Sequence, residues 1–346
     1  MNEKFDYLVL IGRFQPFHNG HFSLLRRALN QAGKVIVILG SSLKHRSIKN
    51  PFSDAERQQM ISASIAAEDK EAANRVKFCM VRDFYNDTKW IAAIQEAVQK
   101  SIDKPNARVG IIGNCKDESS YYLKVFPQWE LIEGPTVVLN ATDIRHLMFE
   151  QENESGNWML IETTVPASVY AFIKAFKQMP MFKDLLKEHD YIKKYKATWE
   201  KAPYPPTFVT VDVVAYCKGH VLMVKRGDYP NKGLWALPGG FVNQHERLMN
   251  AALRELKEET GMELLDGYLR SFAKDNEVFD HPDRSLRGRT ITHAYFFELM
   301  LGELPTVKGG DDAAQAKWIP VGELKEMEPM IFEDHLEIVN RFLNIL

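Results

Sequence analysis

Four short β-branched runs recur through the first half of the chain: YLVLIG (7–12), KVIVILG (34–40), RVKFCMVRD (75–83) and ARVGIIG (107–113). Helical stretches lie between and after them, near 21–31, 53–67, 88–101 and 118–125. Strands alternating with helices form βαβ units, so the pattern predicts a doubly wound α/β domain with a parallel sheet. The second helix opens with Ser53-Asp54-Ala55-Glu56, a capping box in which Ser and Glu satisfy each other's orphan amides. Ligands on such sheets bind beyond the carboxyl ends of the strands. The stretch IGRFQPFHNGH (11–21) leaves one of those ends.

The texture then changes. From about 166 to 200 the chain reads as helical with a lysine-rich end, and APYPPTF (202–208) brings Pro203, Pro205 and Pro206. Proline removes amide donors and resists helix, which marks a boundary. The expected organisation is a domain over 1–185, a helical and proline-rich linker over 186–205, and a second domain over 206–346. At 346 residues two domains are the better prior. In the second half FVTVDVVAYC, HVLMVKR and TITHAYFFELM read as strands, with helices over 246–260 and near 333–345, an α+β pattern.

Composition narrows the class. An apolar fraction of 45% and a charged fraction of 26% are those of a soluble globular protein. The net charge of −2 gives no overall basic excess, so no nucleic-acid partner is expected. Cys79, Cys115 and Cys217 are far apart and read as buried, reduced thiols. No signal core and no membrane-length apolar run is visible, so a cytoplasmic protein without a membrane partner is expected. An oligomer is left open.

The loop after the first strand has the chemistry of a phosphate site. Gly12 and Gly20 let the backbone approach a ligand, and Gly20 precedes a helix whose amides favour an anion. Arg13 can fork onto phosphate oxygens, and the imidazoles of His18 and His21 can donate to them. Paired histidines also bind zinc, but no third nitrogen or sulfur ligand lies nearby.

GRFQPFHNGH resembles the H-x-G-H signature of the nucleotidylyltransferase superfamily, in the version of archaeal-type nicotinamide mononucleotide (NMN) adenylyltransferases. NPFSDAERQQMI (50–61), YNDTKW (85–90) and ATDIRHLM (141–148) are similar to three further segments of that family, in the same order. The last departs from it, with Ala141-Thr142-Asp143 where a serine-rich start is usual. The resemblance covers about 1–180 and implies transfer of AMP from ATP to NMN, giving NAD and pyrophosphate. It implies that His18 and His21 stabilise the transferring phosphate, while Arg13 and Arg145 hold the triphosphate. It places ATP and NMN contacts at Gly12, Phe14, Gly20, Arg57, Trp90 and Thr142, with Mg²⁺ bridging the phosphates. Trp90 would stack on the pyridinium ring, although a tryptophan beside IAAI also suits a core.

Residues 240–262, GFVNQHERLMNAALRELKEETGM, gather carboxylates where they repel. At about 100° per residue, Glu255, Glu258 and Glu259 share one sector of a helix. A divalent, oxygen-seeking cation would relieve that repulsion, and Arg254 could orient a carboxylate. The spacing Gly240, Glu246, Arg254, Glu255, Leu256, Glu258, Glu259, Gly261, Met262 is similar at every fixed position to the Nudix box. This second resemblance covers about 203–346 and implies a Nudix α/β/α sandwich that hydrolyses a nucleoside diphosphate derivative. It implies Mg²⁺, with Mn²⁺ an alternative, on Glu255, Glu258, Glu259 and the Gly240 carbonyl. The stretch 279–299 resembles ADP-ribose pyrophosphatases found fused to NMN adenylyltransferases, which makes ADP-ribose the expected substrate. It departs from that group at Ser285-Leu286, and Val278 stands where some ADP-ribose hydrolases have proline. Arg284, Arg287 and Arg289 could bind substrate phosphates or pair with nearby acids. The whole chain thus resembles the bifunctional NMN adenylyltransferase/Nudix hydrolase family. A nucleotide-sensing second half, another diphosphate substrate, or another adenylyltransferase of the superfamily are the alternatives.

Overall fold

The computed structural model describes residues 4–114, 118–134 and 140–346, and the chain divides into two compact units, 1–186 and 187–346. In the first, five parallel strands, β1 (Phe5–Gly12), β2 (Ala32–Leu39), β3 (Val76–Met80), β4 (Val109–Gly113) and β5 (Glu130–Glu133), lie in the order β3-β2-β1-β4-β5. Both faces are buried. Leu8, Leu10, Val35 and Val37 enter one core, while Tyr7, Val9, Ile36 and Ile38 enter the other. This is why the strands read as near-continuous apolar runs rather than alternating ones. The chain order reverses across the β1–β4 pair, so the loop after β1 emerges at the switch point where such sheets bind ligands.

The helices follow their sequence signals with local shifts. Asp54–Ala66 starts on the expected capping box: Ser53 N–H donates to Glu56 Oε2 at 2.7 Å and Glu56 N–H to Ser53 Oγ at 3.3 Å. Residues Glu118–Lys124, expected as helix, form a 3₁₀ helix. The region 166–200 forms Ala167–Phe176 and Pro180–Ala197, with Pro180 at the first position of its helix, where a missing amide costs nothing. The latter helix occupies most of the expected linker. Cys79 is half-buried and Cys217 buried, both free, and Cys115 lies outside the described residues. Among the described residues no helix is long and apolar enough to cross a membrane.

The second unit holds a mixed sheet of β6 (Thr207–Cys217), β7 (His220–Arg226), β8 (Trp235–Ala236), β9 (Gly239–Phe241), β10 (Ala273–Phe279), β11 (Arg289–Glu298) and β12 (Ala313–Pro320). The main path is β10-β11-β6-β7-β12, with β8 on β7 and β9 on β6. Helix Leu248–Thr260 packs its Ala251, Leu253 and Leu256 with Val211 and Val213 on one face. Helix His335–Leu343 packs Leu336, Ile338 and Val339 with Val214 and Met223 on the other, completing an α/β/α sandwich.

Residues 187–200 belong to this second unit by their contacts. Glu188, buried, accepts from Asn231 N–H at 3.1 Å and Nδ2 at 2.9 Å, and the Tyr191 and Tyr195 rings lie 6.1 Å from Tyr229 and 5.9 Å from Phe208. A fragment 187–346 should therefore be more stable than one starting at the proline stretch, residue 201. Leaving the Asn231 groups without Glu188 should cost about 1–3 kcal/mol. Thermal denaturation of the two fragments tests this, and equal midpoints would place 187–200 outside the folded unit.

Candidate active sites

The loop after β1 is built around the start of the next helix, Asn19–Leu29. His18 is its N-cap, and its Nδ1 accepts from Gly20 N–H at 3.1 Å. His21, three residues on, returns the contact: its Nδ1 accepts from His18 N–H at 3.4 Å. The two histidines thus form a capping box of imidazoles, with rings stacked 3.7 Å apart. Because each Nδ1 is an acceptor, each neutral ring carries its proton on Nε2. One expectation changes: Gly20, read as preceding a helix with free amides, lies inside the helix, and its own amide is taken by His18.

Phe14 gives the loop its shape. Its φ of +50° is in the left-handed region that side chains avoid. The conformation is held by burial of its ring, 1% exposed, against Gly12. A Cβ on Gly12 would come 2.9 Å from that ring, so only glycine allows the turn.

A cleft of about 500 Å³ opens here, and Gly12, Arg13, Phe14, His18, Gly20 and His21 line one side. Thr142 and Arg145, from the helix Ala141–Phe149, line another, together with Trp90. Arg145 is buried; its Nη1 donates to Gln15 O at 2.6 Å and its Nη2 to Thr142 Oγ1 at 3.1 Å. Burial, and then the neighbouring Arg13, push its guanidinium down to about 10. Two cations that repel across a cleft suit a polyanion. Trp90 lines the cleft and also packs at 5.9 Å on Phe126.

Arg57 is placed behind the cleft, fully buried and absent from its lining. Its Nη1 donates to Arg13 O at 2.6 Å and Gly40 O at 2.7 Å, and its Nη2 pairs with Asp54. It fixes the loop that carries Arg13. Gln15 went unnoticed in sequence; its side-chain amide exchanges two hydrogen bonds with the Phe52 backbone, at 2.7 and 2.9 Å, tying this loop to the NPF segment. Asp83 also reaches the cleft and accepts from Ser41 Oγ at 3.0 Å.

In the second unit Arg254 organises the carboxylates, and all five of its N–H groups are used. Nε and Nη2 grip Glu246 at 2.9 Å each, Nη1 reaches Glu255 at 2.7 Å and Glu258 at 2.9 Å, and Nη2 also reaches Phe241 O at 3.1 Å. Glu259 turns away and accepts from Gly239 N–H at 2.9 Å. Burial pushes its carboxyl up to about 8, opposed by that amide and reinforced by the Glu255 charge. Burial raises Glu255 as well, against the pull of Arg254. A Cβ on Gly240 would lie 2.5 Å from Glu255 Oε1, so glycine is what lets this backbone approach the carboxylates. As they stand, the carboxylates are drawn to Arg254 and Gly239, and among the described residues no three His, Cys, Asp or Glu converge on one point. The donor set, all oxygen with a close backbone approach, nevertheless fits a hard divalent cation.

The three arginines of 284–289 separate. Arg284 is buried and bidentate on Asp334, both contacts 2.8 Å. Burial alone would lower its pKa, but Asp334 and Asp212 outweigh it and raise it. Arg284 therefore pairs with acids in the interior. Arg289 donates to Asp280 O. Arg287 lies 5.2 Å over the ring of Phe241, the residue after Gly240 in the sequence, and its Nε donates to Ser285 Oγ at 3.4 Å.

Fold and sites together define a nucleotidylyltransferase-type domain followed by a Nudix domain. Residues 9–147 match the cytidylyltransferase-like family and residues 206–342 the NUDIX domain. A nicotinamide/nicotinic acid mononucleotide adenylyltransferase of Acinetobacter baylyi is 41% identical over 188 residues, 54% of this chain and 94% of that protein. An ADP-ribose pyrophosphatase of Methanocaldococcus jannaschii is 33% identical over 161 residues, 46% of this chain and 83% of that protein. The crystal structure of a bifunctional NMN adenylyltransferase/ADP ribose pyrophosphatase from Francisella tularensis, complexed with AMP and a Mn ion, matches both halves. It is 36% identical, with a TM-score of 0.90 over 98% of this chain and 99% of that one. The chain belongs to the bifunctional NMN adenylyltransferase/ADP-ribose pyrophosphatase family.

The placement of Arg57 has a measurable consequence. Arg57→Met strips two buried carbonyls and Asp54 of their cation, and should cost roughly 3–5 kcal/mol. Urea denaturation measures this; a variant as stable as the wild type would show that Arg57 does not hold the loop.

Proposed function

We propose that this chain is a bifunctional enzyme of NAD metabolism. The first unit transfers the adenylyl group of ATP to NMN. The second hydrolyses ADP-ribose to AMP and ribose 5-phosphate. The observation that carries the first assignment is the stacked His18–His21 pair, each ring with its Nδ1 tied to backbone, on the wall of a cleft shared with Arg13 and Arg145.

In that cleft a phosphate oxygen of NMN attacks the α-phosphorus of ATP, and the bond to the bridging oxygen of the β-phosphate breaks as pyrophosphate leaves. Such a reaction asks for alignment and charge neutralisation more than for a nucleophilic side chain. The Nε2–H groups of His18 and His21 stabilise the transferring phosphate, Arg13 and Arg145 hold the triphosphate, and Trp90 offers a face to the pyridinium ring. In the second unit Glu255, Glu258, Glu259 and the Gly240 carbonyl would hold a divalent cation, and Arg287, over the neighbouring Phe241 ring, is our candidate for a substrate phosphate. Such a cation, Mg²⁺ in our reading with Mn²⁺ as the alternative there, would supply charge neutralisation of the diphosphate and activation of water.

Crossed variants test both halves in one chain. His18→Asn keeps a helix-capping oxygen but loses the imidazole donor, and should lower kcat for NAD synthesis about 10²–10³-fold. Glu259→Gln should abolish AMP release from ADP-ribose and leave NAD synthesis at the wild-type rate. Product analysis with ATP and NMN, then with ADP-ribose, measures both. Equal AMP release by wild type and Glu259→Gln would exclude the carboxylate assignment.

A further inference from the structure

The segment Trp235–Gly240 carries both backbone groups that the second site needs: the Gly239 amide on Glu259 and the Gly240 peptide against Glu255. What holds this segment in place comes from the far end of the sequence. Phe332 N–H donates to Trp235 O at 2.8 Å, and Trp235 and Ile331 form a parallel bridge. Two residues beyond Trp235, Leu237 N–H donates at 2.8 Å to Nδ1 of His335, the first residue of the last helix, with both residues buried. An imidazole thus takes the place a backbone carbonyl would have in a continuing ladder.

The ring is itself fixed. Its Nε2 lies 3.7 Å from Asp212 Oδ1, Asp212 Oδ2 accepts from Thr292 Oγ1 at 2.6 Å, and the Phe332 ring meets the imidazole edge-on at 5.1 Å. With the carboxylate on the Nε2 side, the proton is placed there and the Nδ1 lone pair is left for the Leu237 amide. The adjacent Asp334 is clamped by Arg284. These contacts all lie within the second unit.

We propose that His335 is a positioning residue of the hydrolase site: by accepting from the Leu237 amide it holds Gly239 and Gly240 at the distance from Glu259 and Glu255 at which a divalent cation binds. The inference rests on the hydrolase reading given above. Outer-shell partners of this kind are typically worth 10–100-fold in metal affinity.

The test uses the full chain and Mn²⁺ alone, following the electron paramagnetic resonance signal of free Mn²⁺. His335→Leu, which removes the acceptor, should weaken Mn²⁺ binding about 10–100-fold. His335→Asn, which can set its Oδ1 where Nδ1 stands, should regain most of it. NAD synthesis by the first unit should be unchanged in both. If His335→Leu does not fold, His335→Gln, whose oxygen is carried one bond too far, takes its place with the same expectation. Wild-type Mn²⁺ affinity in His335→Leu, or equal losses in the Asn and Leu variants, would overturn the proposal. Absence of Mn²⁺ binding by the wild type would overturn the hydrolase reading and this inference with it.

Discussion

A helix that begins at the carboxyl end of a buried strand has first amides with no partner inside the helix, and those that are buried need one from elsewhere. In the first unit that requirement is met by two imidazoles. Their Nδ1 atoms cap the helix Asn19–Leu29, and this single use fixes ring position, tautomer and mutual stacking. The remaining parts of the cleft follow from it. Phe14 takes its left-handed turn to bring the chain round to His18, Gly12 makes room for the ring, and Arg57 anchors the loop from behind. The cap uses Nδ1 of each ring and leaves Nε2 for the role in phosphate stabilisation that we propose.

The second unit solves a related problem with charge rather than with capping. Its helix Leu248–Thr260 starts at Leu248 with no side-chain cap, and Glu246, just before it, is spent on Arg254. Arg254 distributes its five donors over three carboxylates and one carbonyl, which permits like charges to stand one turn apart on a half-buried surface. Glu259 lies outside that arrangement, held by a single amide and raised by burial. Burial and the Glu255 charge oppose its ionised form, while the Gly239 amide and the charge of Arg226 favour it.

Much of this was legible in the sequence because both motifs are local. The spacing of His18 and His21 is that of an N-cap and its third helical residue, and the Nudix spacing is that of one helical face; short-range periodicity reports such things directly. What was not legible depends on distant partners or on weak local signals. Arg57 reads as a substrate ligand because it lies in a motif, yet the fold turns it inward to two carbonyls. Edge strands β10 and β12 carry Lys274, Asp275, Glu277 and Lys317, charges that discourage edge pairing but also hide the alternation by which strands are read. β5, also at an edge, has only four residues, two of them Glu. The bond from Leu237 to His335 joins positions 98 apart, which no window of sequence connects.

The strand order of the first unit bears on how the chain acquires its shape during synthesis. β1 is the central strand, and it is translated before either of its neighbours. As the polypeptide lengthens, β2 and then β3 can add to one side within about the first eighty residues. The other side stays open until β4 has emerged, some hundred residues after β1. Through that interval Tyr7, Val9 and Ile11 present an apolar row whose cover, including Ile94, Val98 and Ile111, has not yet been made. Nascent chains of this topology therefore pass through a half-sheet with one unpaired, apolar flank, the kind of intermediate on which chaperones act. Translation thus delivers β1, β2 and β3, one side of the sheet, well before β4 and β5, the other.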